Sequence, residues 1–193
     1  FGLRNTLQTK RGGQLDTLLD WNVMLDWRLN PNAGQQTFND FYSQLRFKPR
    51  SWLALDSQAR YDINNDHLNM AFTQLTFAPG ERWSWGLGHW YLRNGFIGSG
   101  DDYLTSTLFV RVNDNWGVRA EDDFNAETGR LQQQFYSLYR DLRWWTCALT
   151  FRLLDNGGGQ SKDYTIAFTF SFKATPRYRL GEDTVSPYRL VGE

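Results

Sequence analysis

The sequence predicts an all-β fold: an antiparallel transmembrane β-barrel, with about 11 strands in this chain and more in a larger whole. Three observations carry this expectation. The first is the segment 164–172, where Tyr164, Ile166, Phe168, Phe170 and Phe172 alternate with Thr165, Ala167, Thr169 and Ser171. Successive strand side chains point to opposite faces, so one face is large and apolar and the other small and uncharged. A face turned to bulk water usually carries Lys, Glu or Arg; the pattern here suits lipid on one side and a packed or wet lumen on the other. The second is composition. The 193 residues are 17% aromatic and include nine Trp, yet mean hydropathy is negative, and no run of about 18 apolar residues would make a transmembrane helix. The third is the sorting of the connections, which alternate between tight and loose.

The strands are expected, in order, at about 2–10, 15–29, 38–48, 51–63, 67–78, 82–93, 102–112, 115–125, 130–141, 143–154 and 163–173. In the second, Trp21, Val23, Leu25, Trp27 and Leu29 form one face and Asn22, Met24, Asp26 and Arg28 the other. The fourth opens with Trp52 after Pro49, the sixth with Trp83, Trp85 and Leu87 after Pro79-Gly80, and the eighth with Trp116 after 113–115. In the tenth, Trp145, Cys147, Leu149, Phe151 and Leu153 oppose Trp144, Thr146, Ala148, Thr150 and Arg152. Several of these segments exceed ordinary globular strands and suit a tilted span of roughly 9–11 residues.

The connections at Pro49-Arg50, Pro79-Gly80, 113–115 and Asp141-Leu142 are tight, whereas those at 30–36, 94–101, 125–129 and 156–161 are long. Outer-membrane barrels have short periplasmic turns and longer extracellular loops. With the last strand ending on the periplasmic side, four of five outer loops obey that rule; Asn64-Asn65-Asp66 is the short exception. Trp52, Trp83, Trp85, Trp116 and Trp145 then form an interfacial girdle just inside the turns. Asp26, Arg28, Arg111 and Arg152 fall on the opposite face and are assigned to a hydrated lumen. An odd strand number cannot close an antiparallel barrel. Because the chain is already strand-like at 1–7, further strands are expected before Phe1.

Formal net charge is zero and no basic run occurs, so no nucleic-acid partner is expected. Cys147 is the single cysteine and has no intrachain partner for a disulfide. His89 with Ser84 raises the possibility of a rim hydrolase, but the spacing matches no nucleophile motif, and His89 reads as an interfacial side chain among Trp85, Leu87 and Tyr91. His67 reads as a loop histidine. Asp101-Asp102 and Glu121-Asp122-Asp123 lack a spaced calcium-loop pattern and read as solvated carboxylates. The loop at 156–159 has no following helix on which to cradle phosphate. No enzyme activity, metal or cofactor is expected.

Three stretches resemble the lipopolysaccharide-assembly barrel of the Gram-negative outer membrane, the LptD family. The run 135–152 (Phe-Tyr-Ser-Leu-Tyr-Arg-Asp-Leu-Arg-Trp-Trp-Thr-Cys-Ala-Leu-Thr-Phe-Arg) is similar to its penultimate hairpin, and 164–172 to its last strand. Leu7-Gln-Thr-Lys-Arg-Gly is similar to a family strand-turn element. The resemblance implies barrel strands over 1–173 and a C-terminal periplasmic tail over 174–193. It implies insertion of lipopolysaccharide into the outer leaflet, with Tyr164, Ile166, Phe168, Phe170 and Phe172 on a lateral-gate strand. The implied partners are lipopolysaccharide, membrane lipid, a plug lipoprotein like LptE and periplasmic bridge proteins. One departure is evident: Arg143, Trp144 and Trp145 stand where the family has an adjacent cysteine pair, so the resemblance does not carry disulfide-controlled assembly over to this chain. A passive channel and an aromatic-rich soluble carbohydrate-binding protein stand as the alternatives.

Overall fold

The computed structural model describes residues 1–93, 101–157 and 159–173, together with the backbone of Arg179 and Leu180. Eleven long strands succeed one another: β1 (Gly2–Arg11), β2 (Gln14–Trp27), β3 (Phe38–Arg50), β4 (Leu53–Asp62), β5 (His67–Gly80), β6 (Trp83–Leu92), β7 (Asp101–Asn113), β8 (Trp116–Asn125), β9 (Arg130–Asp141), β10 (Trp145–Leu154) and β11 (Asp163–Phe172). A two-residue strand, β12 (Arg179–Leu180), follows. Each strand pairs with its neighbours in sequence, giving one antiparallel sheet in the order β1 to β12. The sheet is open: among the described residues no ladder joins β1 to β11 or β12. The all-β antiparallel expectation therefore holds, and among the described residues the sheet does not close on itself.

Turn chemistry sets the connections. Gly12 and Gly13 both have positive φ, +56° and +87°, as a two-residue hairpin turn twisted to match its strands requires. Asn113 Oδ1 accepts from the amides of Asn115 (2.9 Å) and Trp116 (3.0 Å), and Asp62 Oδ1 accepts from those of Asn64 (2.9 Å) and Asn65 (3.1 Å). These side chains stand in for the backbone acceptors that a reversal lacks. Connections at 12–13, 51–52, 81–82, 114–115 and 142–144 hold two or three residues, whereas those at 28–37, 63–66, 93–100, 126–129 and 155–162 hold four to ten. Consecutive connections of an antiparallel meander lie at alternate ends, so the chain sorts its loops. Even 63–66, the exception expected from sequence, is longer than any turn of the other series. Most of the long connection expected at 94–101 lies outside the described residues.

Three departures from the expected strands stand out. β2 stops at Trp27 because its register against β3 shifts between Leu25 and Trp27, and the Arg28 amide then donates to Thr37 within the loop. β3 runs through Pro49 to Arg50, with a register irregularity between Phe47 and Arg50. Proline has no ladder donor and is accommodated at such a bulge. The third is β12. It falls within 174–193, expected as a tail and not as a strand, and sets Leu180 and Arg179 against Phe170 and Ser171. A two-residue strand carries too little alternation for periodicity to register.

The chain divides into two compact units, Phe1–Leu75 with Gly88–Tyr103, and Thr76–Leu87 with Leu104–Glu193. In the second unit, Phe109, Tyr139 and Ala148 are the buried apolar side chains among the described residues. Phe109 and Tyr139 meet edge to face at 6.4 Å. Gly117 makes room for them: a Cβ there would stand 3.1 Å from Phe109 Cε2. Gly117→Val is accordingly expected to lower stability by about 1–3 kcal/mol through overpacking. Denaturant titration followed by Trp fluorescence checks this, and an unshifted midpoint would contradict the packing.

Candidate functional site

The strand alternation produces two faces of opposite chemistry, and burial is inverted between them. In the first unit, Trp21 faces Leu45, Leu25 faces Phe41, and Phe41 faces Tyr61 across the β2–β3–β4 ladders. In the second, Leu138, Leu149 and Phe168 form one cross-strand row and Tyr136, Phe151 and Ile166 the next. These apolar rows are largely exposed, Ile166 at 74% and Phe168 at 55%. The opposite face of the same strands holds Ser137, Thr150 and Thr169, and there Thr150 and Thr169 are each only 3% exposed.

Several polar atoms on the apolar face are paired with one another. Trp21 Nε1 donates to Ser43 Oγ (3.0 Å), Trp85 Nε1 to Ser106 Oγ (3.1 Å), and Ser57 and Thr73 share a bond of 3.2 Å. Such internal pairing removes donors that an apolar surrounding could not satisfy.

The polar face is a ladder of compensated charge. In the first unit, Arg4 grips Asp20 with Nε to Oδ1 (2.9 Å) and Nη2 to Oδ2 (2.6 Å), a bidentate pair. Arg46 bonds Asp56 at 2.6 Å, and the register sets Asp20 against Arg46. The row beside it aligns Arg4, Asn22, Gln44 and Gln58. A groove of about 360 Å³ runs among these residues. Arg60 Nη2 donates to Asp40 Oδ2 (2.6 Å); Asp40 is 2% exposed and also accepts from Asn39 (3.2 Å) and from the Tyr42 hydroxyl (3.4 Å). In the second unit, Arg119 pairs with Glu121, and the Ser137 and Thr150 hydroxyls bond at 2.8 Å. Outside the strands, the Gly157 amide donates to Asp155, and this bond, with Lys162 nearby, holds the Asp155 carboxyl below the usual carboxylate range.

Of the four side chains assigned to a lumen, Arg152 lies on the polar face, donates to Gln133 Oε1 (3.2 Å) and crosses the Phe135 ring at 5.5 Å. Arg111 lies beside Phe109, Asn113 and Tyr139 in a small cleft of the second unit. Asp26 sits at the β2–β3 register shift and is exposed, and Arg28 lies in the loop beyond β2.

Of the five girdle tryptophans, Trp52 is in the β3–β4 turn and the others begin or lie near the start of strands that leave such turns. Trp83 packs on Phe77 at 5.2 Å and Trp145 on Phe172 at 4.1 Å, while Arg140 lies over Trp116 at 4.4 Å.

Tyr164, Ile166, Phe168, Phe170 and Phe172 all lie on β11, the last long strand among the described residues. Cys147 is a free thiol on the apolar face, half-buried between Arg140 and Phe170 of the neighbouring strands.

Several features escaped the sequence. At the loop-side strand ends Phe1, Trp27 and Phe38 stack in series (6.3 and 6.0 Å), and Tyr164 meets Phe151 at 6.2 Å. These aromatics form a counterpart to the turn-side tryptophans, and their signal was their place beside the long loops. His89 Nε2 bonds Asp102 at 2.9 Å, a partner that only the β6–β7 register reveals. His67 Nδ1 meets the Asn65 carbonyl at 3.1 Å. Among the described residues no three His, Cys, Asp or Glu side chains gather as a metal site.

No family model matches this chain, and no curated protein is significantly similar to it. The site must be weighed on its own geometry. Arg60→Met, which leaves the buried Asp40 carboxylate without its guanidinium, is expected to lower stability by about 1–3 kcal/mol. Denaturant titration measures this, and Asp40→Asn in the Arg60→Met background should restore part of the loss.

Proposed function

We propose that this sheet is a wall of an outer-membrane β-barrel, with its apolar face against lipid and its polar face against a hydrated lumen. The observation that carries the proposal is the inversion of burial: hydroxyls are covered while Ile166 and Phe168 are open. A water-soluble sheet sets its large apolar side chains inward, and an apolar surface of this extent marks an interaction site or a membrane. Three further features support the same surroundings. The eleven long strands hold 10 to 14 residues, and a tilted strand needs roughly 9–11 to cross a bilayer. The apolar band on β3 runs from Phe38 to Phe47, about 30 Å along the strand and, at a tilt of about 40°, about 23 Å in height, against roughly 25 Å for such barrels. Aromatics border the band at both ends, where amphipathic rings are best placed. A soluble carbohydrate-binding sheet would leave these faces inverted without a reason.

Within that class we assign the chain to lipopolysaccharide assembly. The resemblance of 135–152, 164–172 and 7–12 to the LptD family supports this assignment, with β11 as one lip of a lateral seam. The polar face, rich in amides and paired charge, suits saccharide passage and a polar plug lipoprotein. A passive channel is the competing function for the same wall.

Two experiments test the membrane wall and its function in turn. Leu149→Arg at mid-strand is expected to lose about 2–4 kcal/mol of folding stability in lipid vesicles; at an exposed position of a soluble protein the change would be within about 0.5 kcal/mol. For function, a photoreactive residue at Ile166 or Phe168 in cells is expected to capture lipopolysaccharide. Capture of phospholipid alone would favour the passive channel.

A further inference from the structure

We propose that the turn-side rim of β8, β9 and β10 holds the headgroup phosphate of an anionic phospholipid. The arginines of the strands divide by face. On the polar face Arg4, Arg46, Arg60 and Arg119 each hold a carboxylate, and Arg152 donates to the Gln133 amide oxygen. Arg140 is different. The ladders set it opposite Trp116 on one side and Cys147 on the other, in the row that continues to Phe170, so its side chain belongs to the apolar face. Its guanidinium lies over the Trp116 ring at 4.4 Å. Three residues on, in the turn to β10, Arg143 lies over Trp144 at 5.3 Å, and Trp144 is 64% exposed. Among the described residues no carboxylate pairs with either guanidinium. Asp141, next to Arg140 in sequence, points to the opposite face and is engaged by Lys173 Nζ (2.6 Å) and Thr146 Oγ1 (3.3 Å). Asp114, in the β7–β8 turn, lines the polar cleft with Arg111 and Asn113. A ring orients a guanidinium without neutralising it and leaves its N–H fork free to bond a phosphate through two parallel hydrogen bonds. Two uncompensated positive charges at the end of an apolar band match the layer where anions lie beside hydrocarbon, the headgroups of a bilayer. A zwitterionic headgroup brings its own cation to such a pair and an anionic one does not, so the rim favours net negative charge.

This inference rests on the membrane-wall reading and adds a lipid preference to it. The full-length protein is folded into vesicles of equal parts phosphatidylcholine and phosphatidylglycerol and extracted mildly, and the retained lipid is counted by native mass spectrometry. Phosphatidylglycerol is expected to outnumber phosphatidylcholine among the retained molecules. Arg140→Gln with Arg143→Gln is expected to cut that ratio by about fivefold or more. Arg130→Gln with Lys162→Gln removes the same charge at the loop side of the sheet and is expected to leave the ratio unchanged. Each ratio is taken on inserted protein only, so a loss of folding efficiency does not enter it. An undiminished ratio in the turn-side double variant, or an equal fall in the loop-side one, overturns the headgroup site while the wall stands. Failure of the unsubstituted protein to insert into these vesicles overturns wall and site together.

Discussion

The backbone hydrogen bonds between neighbouring strands are the constraint on which everything else here depends. A sheet satisfies its amides and carbonyls only through adjacent strands, and in apolar surroundings there is no water to substitute. The ladders from β1 to β11 meet this requirement for every interior strand. They also fix which side chains share a row, so the chemistry of each face follows from register and not from contacts made later. A one-residue slip would exchange the faces entirely. The bulges at Leu25/Trp27 and Phe47/Arg50 lie near strand ends, where a shift disturbs few rows.

Given that register, the two faces solve different problems. On the apolar face several polar groups pair with one another, as in Trp21 with Ser43 and Trp85 with Ser106, while Arg140 lies over the Trp116 ring. The polar face carries many charges but arranges them in alternating sign, with Asp20 between Arg4 and Arg46 and Asp56 beyond. Exposed pairs of this kind contribute little stability each. Their effect is to keep the local field near zero while presenting a dense set of hydrogen-bonding groups. Asp40 differs because it is buried, and three donors converge on it.

Period-two patterning made the strands legible because each face is chemically uniform over many residues, as in β11 and β10. Turns were legible where Gly, Asn or Asp punctuates the pattern, as at Gly12-Gly13 and Asn113. What was not legible depended on pairing partners distant in sequence. Asp102 stands thirteen residues from His89, and the bond between them is a property of the β6–β7 register. Arg28 looked like a continuation of the β2 polar face, yet the backbone leaves the ladder one residue earlier. The loop-side aromatics Phe1, Trp27 and Phe38 were visible one by one, but their stacking required the ends of three strands to be aligned.

Strand direction adds a final constraint on the seam. Each consecutive strand reverses the last, so β1 and β11, ten reversals apart, run the same way. They cannot pair with each other in an antiparallel ladder, and antiparallel closure between them requires an odd number of further long strands. A second copy of this sheet placed in the same orientation does not satisfy that requirement, since it again offers β1 to β11 in parallel. β12 has the direction such a strand needs, and its described residues meet β11 at Phe170 and Ser171.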